Sequence, residues 1–256
     1  MSDVISVKAL KKYYGDDKNI CRALNGVDLN VGQGDYICIM GPSGSGKSTL
    51  LNVISTLDVP TRGIVKFNGK SLNEMTENEV SKFRYENMGF IFQEFNLIDT
   101  LTIRENIEVP LVLAGKKKIE INERVEKIAK RLAIESILDK FPSECSGGQR
   151  QRAASARALI TEPKLIIADE PTGNLDSKNS HELLKILKEL NEEEGITIIM
   201  VTHDSLIASY AKSLIFLKDG KVNEVISREG RSQKEFFYNI IEVTSKESQI
   251  LFDMAN

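Results

Sequence analysis

The sequence predicts an α/β fold, and two features of its 256 residues support this prediction. Apolar runs of strand length recur along the chain, at Tyr36–Met40, Met88–Phe92, Leu165–Asp169, Thr197–Thr202 and Leu214–Lys218. Between them lie longer stretches with apolar residues at helical spacing, as at 120–138 and 182–190. Strands that alternate with helices are typical of a parallel sheet covered by helices.

Two turn signals add antiparallel strands to this parallel core. Asn68-Gly69 follows the strand-like segment Ile64–Phe67, and Asp219-Gly220 precedes Lys221–Val225. Both dipeptides favour two-residue hairpins because their residues accept positive φ angles. We therefore expect a mixed sheet architecture.

Composition excludes several classes of protein. Lys and Arg number 34 against 37 Asp and Glu, a net charge of -3, so no basic field favours a nucleic-acid partner. No apolar run approaches the ~18 residues that span a bilayer. Met1–Asp3 lacks the basic and apolar pattern of a signal peptide, so we expect a cytoplasmic protein. The cysteines Cys21, Cys38 and Cys145 are too scattered for a disulfide framework.

A phosphate-binding loop follows the strand-like run Tyr36–Met40 and precedes a helical pattern at 49–54. The segment fits G-x-x-x-x-G-K-[ST] in the structural context that this motif requires. Its glycines let main-chain N–H groups point at phosphate oxygens, Lys47 would reach the β- and γ-phosphates, and Ser48 would offer its hydroxyl to Mg²⁺. The candidate nucleotide-binding residues here are Gly41, Pro42, Ser43, Gly44, Ser45, Gly46, Lys47, Ser48 and Thr49.

Two acidic residues end a later apolar strand. Asp169 closes the run Leu165–Asp169, and Glu170 follows it. Ligands gather at the carboxyl ends of parallel strands, so Asp169 is a candidate ligand for Mg²⁺. Glu170 is then the candidate that polarises the attacking water.

A second anion cradle distinguishes this chain from other phosphate-loop proteins. Ser146, Gly147, Gly148 and Gln149 open a helix rich in Ala and Arg, where main-chain N–H groups favour an anion. A second cradle is needed only if it serves the nucleotide of a neighbouring subunit. The chain resembles an ABC transporter ATP-binding subunit over residues 4 to about 225.

That resemblance implies a P-loop NTPase (RecA-like) core with an N-terminal antiparallel β subdomain and an inserted helical subdomain at about 95–158. It implies a nucleotide-binding domain over residues 1–226, followed by a C-terminal helical extension over 227–256. Two such subunits enclose two ATP molecules head to tail, with Ser146–Gln149 closing on the γ-phosphate held by the opposite subunit.

The same resemblance implies roles for further residues. Tyr14 matches the aromatic residue that stacks on adenine, with Tyr13 as a weaker candidate. Gln93 matches the glutamine that senses Mg²⁺ and the membrane partner. His203 matches the histidine that contacts the γ-phosphate, and Asp176 lies in the loop that crosses the dimer seam.

The resemblance also implies a subgroup. Ala168–Asp176 and the phosphate loop are similar to the group of macrolide-export, lipoprotein-release and cell-division ATPases. Lys11–Gly15 and a predicted helix at 231–252, with a capping box from Ser232 to Glu235, resemble the bacitracin-type peptide-antibiotic subgroup. The implied partners are a membrane permease, a second copy of the ATPase and, through the permease, a sensor histidine kinase.

The sequence leaves three hypotheses for the function. The resemblance implies a subunit on the inner face of the cell membrane that powers export or detoxification of antimicrobial peptides. The alternatives are a lipoprotein-release or macrolide-export ATPase, or a cell-division regulator that moves no substrate. One departure from the family is Cys145, which stands where Leu usually precedes Ser-Gly-Gly-Gln, and we expect it to tune activity.

Overall fold

The computed structural model describes residues 3–16 and 19–255, with side chains described except at 73 and 247–255. Met1 and Ser2, which belong to the segment in which we expect no signal peptide, lie outside the described residues. Asp17, Lys18 and Asn256 also lie outside, and with them parts of the predicted domains 1–226 and 227–256.

Single strands or groups of strands are separated by helices along the described chain. The strands are β1 (Asp3–Tyr14), β2 (Cys21–Gly32), β3 (Tyr36–Met40), β4 (Arg62–Phe67), β5 (Lys70–Ser71), β6 (Met88–Phe92), β7 (Leu165–Asp169), β8 (Thr197–Val201), β9 (Ser213–Lys218) and β10 (Lys221–Ser227). The α-helices are α1 (Lys47–Ile54), α2 (Glu77–Asn87), α3 (Ile103–Leu113), α4 (Lys118–Arg131), α5 (Gly147–Leu159), α6 (Ser177–Glu194), α7 (Ser205–Ala208) and α8 (Gln233–Ala255). The predicted mixed α/β fold is confirmed.

The chain forms two compact units. Unit 1 comprises residues 1–74 and 199–256, and unit 2 comprises residues 75–198. The boundary between them falls inside strand β8.

Unit 1 contains antiparallel and parallel strand pairs. One antiparallel sheet has the order β2-β1-β4-β5. In a second group, β3 runs parallel to β9, which pairs antiparallel with β10. Strand β3 is buried throughout its length, as the continuous apolar run predicts for a central parallel strand. Both predicted hairpins form, with turns at Asn68-Gly69 and Asp219-Gly220.

Helix α8 packs on helix α7 within unit 1. Phe236, Ile240 and Val243 are buried at the spacing of one helix face. The predicted capping box begins this helix, because Ser232 N donates to Glu235 Oε2 at 2.8 Å and Glu235 N donates to Ser232 Oγ at 3.2 Å. Gln233 Nε2 also donates to Ser209 Oγ at 3.1 Å, which fixes the start of α8 beside the end of α7.

Unit 2 combines the parallel pair β6 and β7 with a group of helices. Helices α3, α4 and α5 pack against one another, and α5 also packs on β6. The apolar residues Ile121, Val125 and Ile128 form the buried face of α4, as their spacing predicts.

The predicted helical segment at 120–138 is shorter than its apolar pattern suggests. Helix α4 ends at Arg131, and Ala133 takes a φ of 51°. Such a left-handed residue ends an α-helix because it turns the chain out of the helical path. The apolar residues Ile137 and Leu138 are still buried, but through a short 3₁₀ turn at Glu135–Ile137.

Candidate functional site

The phosphate loop has a main-chain conformation that requires glycine at two positions. Gly41 has φ 154° and Gly46 has φ 99°, in the region that L-residues rarely adopt. A Cβ atom on Gly41 would lie 2.0 Å from the main-chain oxygen of Leu217, and one on Gly46 would lie 2.4 Å from that of Ala23. The loop therefore follows its path only because these positions carry no side chain.

Helix α1 begins at this loop without a capping side chain. Gly46 occupies the N-cap, whereas Thr102 and Ser146 cap α3 and α5 with their hydroxyl oxygens. The N-terminus of α1 thus fits an anion, because main-chain N–H groups and the helix dipole both favour negative charge there. Lys47 donates from Nζ to the main-chain oxygens of Gly41 and Pro42, each at 2.9 Å.

The hairpin between β9 and β10 supports the phosphate loop. Gly220 N donates to the main-chain oxygen of Ser45 at 3.1 Å, and Asn25 N donates to the main-chain oxygen of Gly220 at 2.8 Å. The turn Asp219-Gly220 therefore joins the loop to strand β2. The sequence predicts this hairpin but gives no sign of its contact with the loop.

Tyr14, at the end of β1, has a half-exposed ring with fixed neighbours. Its hydroxyl donates to Asp58 Oδ2 at 2.6 Å, and Lys12 Nζ lies 4.8 Å from the ring centroid. Partial burial and the acceptor Asp58 raise the pKa of the Tyr14 hydroxyl, against a side-chain hydrogen bond with Thr49 that lowers it. Cys21 stands opposite Tyr14 in the pairing of β1 with β2 and is exposed.

The weaker candidate Tyr13 has a different environment. Its ring lies under the guanidinium of Arg22, whose central carbon is 5.7 Å from the ring centroid. Tyr13 N donates to Thr61 Oγ1 at 3.0 Å. Tyr13 has no described link to helix α1, whereas Tyr14 has one through Thr49.

His203 lies in an exposed turn between β8 and α7. The main chain is fixed on both sides of it: Thr202 N donates to the main-chain oxygen of Ile39 at 3.4 Å, and Asp204 N donates to Thr202 Oγ1 at 3.2 Å. Asp204 also caps α7 by accepting from the main-chain N–H of Leu206 at 2.7 Å. The main chain at His203 is therefore fixed at the carboxyl end of β8.

In unit 2, Gln93 and Asp169 lie at the carboxyl ends of two paired strands. Phe92 stands opposite Asp169 in the parallel pairing of β6 with β7, and Gln93 follows Phe92. Gln93 is exposed and Asp169 is partly exposed. The structure thus places these two predicted Mg²⁺-related residues at one edge of the pair, as parallel strands require.

The loop after β7 is folded tightly on the segment that contains Gln93. Asn174 Nδ2 donates to the main-chain oxygen of Gln93 at 3.0 Å. A Cβ atom on Gly173 would lie 2.8 Å from Gln93 Nε2. Glu170 takes a φ of 45°, and its main-chain oxygen accepts from Gly173 N at 3.0 Å. Strained backbone of this kind is frequent at functional sites.

Ser146 and Gln149 form a capping box at the start of α5. Gln149 N donates to Ser146 Oγ at 3.3 Å, and Ser146 N donates to Gln149 Oε1 at 2.9 Å. Cys145 is buried, and burial raises the pKa of its thiol. Cys145 therefore packs as a small apolar side chain in front of Ser146.

Asp176 caps helix α6 and binds Asn179, whose side chain lies against Gly148. Asn179 donates to Asp176 from its main-chain N–H at 2.8 Å and from Nδ2 at 2.7 Å. A Cβ atom on Gly148 would lie 2.2 Å from Asn179 Oδ1, whereas one on Gly147 would have its nearest neighbour at 3.4 Å. The segment Ser146–Gln149 and the loop that ends at Asp176 therefore form one packed region.

Two residues of α5 contribute contacts here that the sequence does not predict. Gln151 is buried and donates from Nε2 to the main-chain oxygens of Phe92 and Pro171. Arg157 donates to the main-chain oxygens of Phe95 and Asn96. Gln151 holds the segments next to Gln93 and Glu170, and Arg157 holds the segment that follows Gln93. No local pattern in the sequence signals these contacts.

No helix among residues 3–16 and 19–255 is both long and apolar enough to cross a membrane.

The fold and the phosphate-loop motif define a nucleoside triphosphatase. A family model described as ABC transporter matches residues 24–173, more than half of the chain. The chain belongs to this family, and it is an ATPase subunit that binds and hydrolyses ATP.

Three known proteins show how far the similarity extends. The bacitracin export ATP-binding protein BceA of Halalkalibacterium halodurans is 44% identical over 93% of this chain and 94% of its own length. The macrolide export ATP-binding/permease protein MacB of Mannheimia succiniciproducens is 44% identical over 86% of this chain, but over only 34% of its own length. The cassette MJ0796, solved as a dimer in a post-hydrolysis state with ADP and Pi, has a TM-score of 0.83 and 41% identity and covers 88% of this chain and 99% of its own.

Proposed function

We propose that this ATPase powers a membrane permease that exports or detoxifies antimicrobial peptides. The similarity to the bacitracin export ATPase carries the proposal, since it covers almost the full length of both chains. That match spans 238 residues and therefore extends beyond the 226 residues of the proposed nucleotide-binding domain. It includes part of the C-terminal region 227–256, which we propose as a separate helical extension.

The permease supplies the membrane-spanning path and the choice of substrate. In this proposal the ATPase sits on the inner face of the cell membrane and contacts the permease beside Gln93 and the helical region at 95–158. Gln93 is exposed, and Asn174 and Gly173 hold its position. A shift of the permease at this side chain would therefore be passed to the loop that follows Asp169.

Two copies of the chain act together when ATP binds. The dimeric state of the MJ0796 cassette supports this proposal. Ser146 and the N–H groups of the first turn of α5 would bind the γ-phosphate held by the second copy. Hydrolysis removes this bridge, because the phosphate that joined the two subunits is no longer attached to the nucleotide.

Mg²⁺ fits the oxygen atoms that the proposed site provides. Ser48 offers a hydroxyl and Asp169 a carboxylate, which are ligand types that Mg²⁺ prefers, and Gln93 offers an amide oxygen. No group of three or more His, Cys, Asp or Glu side chains in the described part of the chain is placed to hold a metal ion by itself. When bound, Mg²⁺ would neutralise charge on the β- and γ-phosphates, with waters completing its coordination.

The remaining roles follow the motifs. We propose that Lys47 and the loop residues 41–49 bind the phosphates, that Tyr14 stacks on adenine, and that Asp176 contributes at the dimer seam. Glu170 would accept a proton from the attacking water, and His203 would stabilise the γ-phosphate as charge develops on it. The Lys47 ammonium must exchange its bonds to Gly41 and Pro42 for bonds to phosphate.

Affinity purification from detergent-solubilised membranes tests the proposal. The tagged chain is captured in the presence of ATP, and co-purifying proteins are identified by mass spectrometry. A Lys47→Ala variant serves as the control for ATP-dependent partners. The purified complex is then assayed for ATP turnover with and without bacitracin.

A permease with a large extracellular domain, and turnover that responds to the peptide, would support the proposal. A co-purifying histidine kinase would support a sensing role in addition. A permease of the macrolide or lipoprotein type, with turnover that ignores the peptide, would move the function to export of those substrates or to division control. Absence of any permease would contradict the transport proposal.

A further inference from the structure

Three side chains in unit 1 hold one aromatic ring in place, and we call them the tyrosine clamp: Lys12, Tyr14 and Asp58. The Tyr14 hydroxyl donates to Asp58 Oδ2 at 2.6 Å. Lys12 Nζ donates to the other carboxylate oxygen, Oδ1, at 2.5 Å and lies 4.8 Å from the centroid of the Tyr14 ring. Each member therefore contacts the other two.

We propose that Lys12 and Asp58 are positioning residues for the nucleobase of a purine nucleotide. They fix the Tyr14 ring so that the ammonium of Lys12 covers one face and adenine stacks on the opposite face. This inference rests on the proposed role of Tyr14 in binding adenine. The sequence assigns adenine binding to Tyr14 alone. The inference adds Lys12, on β1, and Asp58, in the segment after α1.

The clamp differs from an ordinary surface ion pair. The Lys12 side chain is only 13% exposed and that of Asp58 is 27% exposed. Lys12 Nζ also donates to the main-chain oxygen of Val59 at 2.8 Å, and Val59 N donates to Asp58 Oδ1 at 2.7 Å. A lysine that is restrained by this many partners has already lost much of its rotamer freedom before any ligand binds.

A further contact connects the ring to the phosphate loop. The side chain of Thr49, in the first turn of helix α1, acts on the Tyr14 hydroxyl and lowers its pKa. Helix α1 begins at Lys47, so the base platform and the phosphate cradle both adjoin the same helical turn. When the base platform and the phosphate cradle are both ordered before binding, the protein loses less conformational entropy as the ligand binds. This favours a ligand whose base and phosphates have the same separation as the two parts of the site.

Calorimetric titration with ADP and with inorganic pyrophosphate tests this inference, because only ADP carries a base. The variants are Asp58→Asn, Lys12→Met and Tyr14→Ala, and each of the first two is also combined with Tyr14→Ala. Lys8→Met is the matched control, since Lys8 is exposed on the same strand. Thermal unfolding of each variant establishes that it is folded.

We expect Asp58→Asn and Lys12→Met to raise the dissociation constant for ADP about threefold to tenfold, as the loss of one ordered side chain does. Tyr14→Ala should raise it about tenfold or more, which is the effect of losing a stacked base. The affinity for pyrophosphate should stay unchanged, and the clamp substitutions should add nothing in the Tyr14→Ala background.

The outcomes separate the two proposals. If Tyr14→Ala weakens ADP but Asp58→Asn and Lys12→Met do not, the positioning inference is wrong and the adenine role of Tyr14 stands. If Tyr14→Ala leaves ADP affinity unchanged, the adenine role itself is wrong. Equal losses for ADP and pyrophosphate, or losses that persist without the Tyr14 ring, would assign the clamp a purely structural role and overturn the inference.

Discussion

The guanidinium of Arg157 donates a hydrogen bond of 3.0 Å to the main-chain oxygen of Phe95, sixty-two residues earlier in the chain. Its other terminal nitrogen donates to the main-chain oxygen of Asn96. Both acceptor residues have positive φ angles, 61° and 51°, which non-glycine residues rarely adopt. Burial lowers the pKa of Arg157, but guanidinium remains charged at neutral pH. One cation thus stabilises a strained segment beside Gln93.

Replacing Arg157 by Lys should lower the free energy of unfolding by about 2 kcal/mol, because one ammonium cannot reproduce the two-pronged geometry. Urea unfolding followed by circular dichroism measures this change. Arg131→Lys is the control, since Arg131 forms an exposed ion pair with Glu194, and its effect should stay below about 0.5 kcal/mol. Equal losses in the two variants would show that the contacts of Arg157 add no stability.

Replacing Glu170 by Gln should reduce ATP turnover by about a hundredfold or more, because the amide cannot accept the proton of the attacking water. ATP affinity should persist, and the ATP-bound dimer should accumulate in size-exclusion chromatography. Phosphate release measures turnover, with Glu123→Gln as an exposed control. Wild-type turnover in the Glu170 variant would contradict the general-base role.

The neighbouring glycines at the start of α5 should tolerate alanine differently. Gly148→Ala places a methyl group 2.2 Å from Asn179 Oδ1, and Arg152 Nη1 donates to that oxygen at 3.0 Å. We expect a loss of about 1–3 kcal/mol, the usual cost of overpacking. Gly147→Ala has ordinary contacts and should be neutral or slightly stabilising.

Thermal unfolding compares the two glycine variants directly. A second substitution, Asn179→Ala, should remove most of the difference, because it frees the space that the methyl group needs. Equal melting temperatures for Gly147→Ala and Gly148→Ala would show that Asn179 moves aside without cost.

The stability of helix α6 should depend on pH through Asp176. Hydrogen bonds from the main chain and the side chain of Asn179 lower the pKa of this carboxyl. The resulting stabilisation is complete above the ordinary aspartate pKa of about 3.9 and is lost as pH falls through the lower pKa of the folded state. Asp176→Asn should therefore destabilise the chain at neutral pH and matter progressively less in acid.

Urea midpoints measured at a series of pH values test this expectation. The difference between wild type and Asp176→Asn should be constant near neutrality and shrink below about pH 4. A difference that is the same at both ends of the series would show that the negative charge contributes no stability.

Much of the fold could be predicted because its signals are local. Strands β3, β6 and β7 match their predicted bounds, since each is one continuous apolar run. The end of α4 could not be predicted, because Ala133 adopts a left-handed conformation without a glycine or proline nearby to indicate it. The apolar spacing continues through this break, so periodicity alone extends the helix too far.

The residues of the candidate site also differ in whether the sequence can identify them. The residues of the phosphate loop and of Ser146–Gln149 form contiguous motifs, and the sequence identifies them as groups. Gln151 and Asp58 work through contacts with residues far along the chain, which only the folded structure brings within reach. Their roles follow from geometry, and nothing about their immediate neighbours distinguishes them.

The position of Cys21 has a practical consequence. Of the three cysteines, Cys38 and Cys145 are buried and Cys21 is exposed. Cys21 lies on β2, directly opposite Tyr14 on the neighbouring strand β1. A maleimide dye reacts with thiols that solvent can reach, so it should label the native chain at this one place. The unaltered sequence therefore provides an attachment point for a fluorescent reporter next to the tyrosine ring, and nucleotide arrival could be followed in real time without introducing a cysteine.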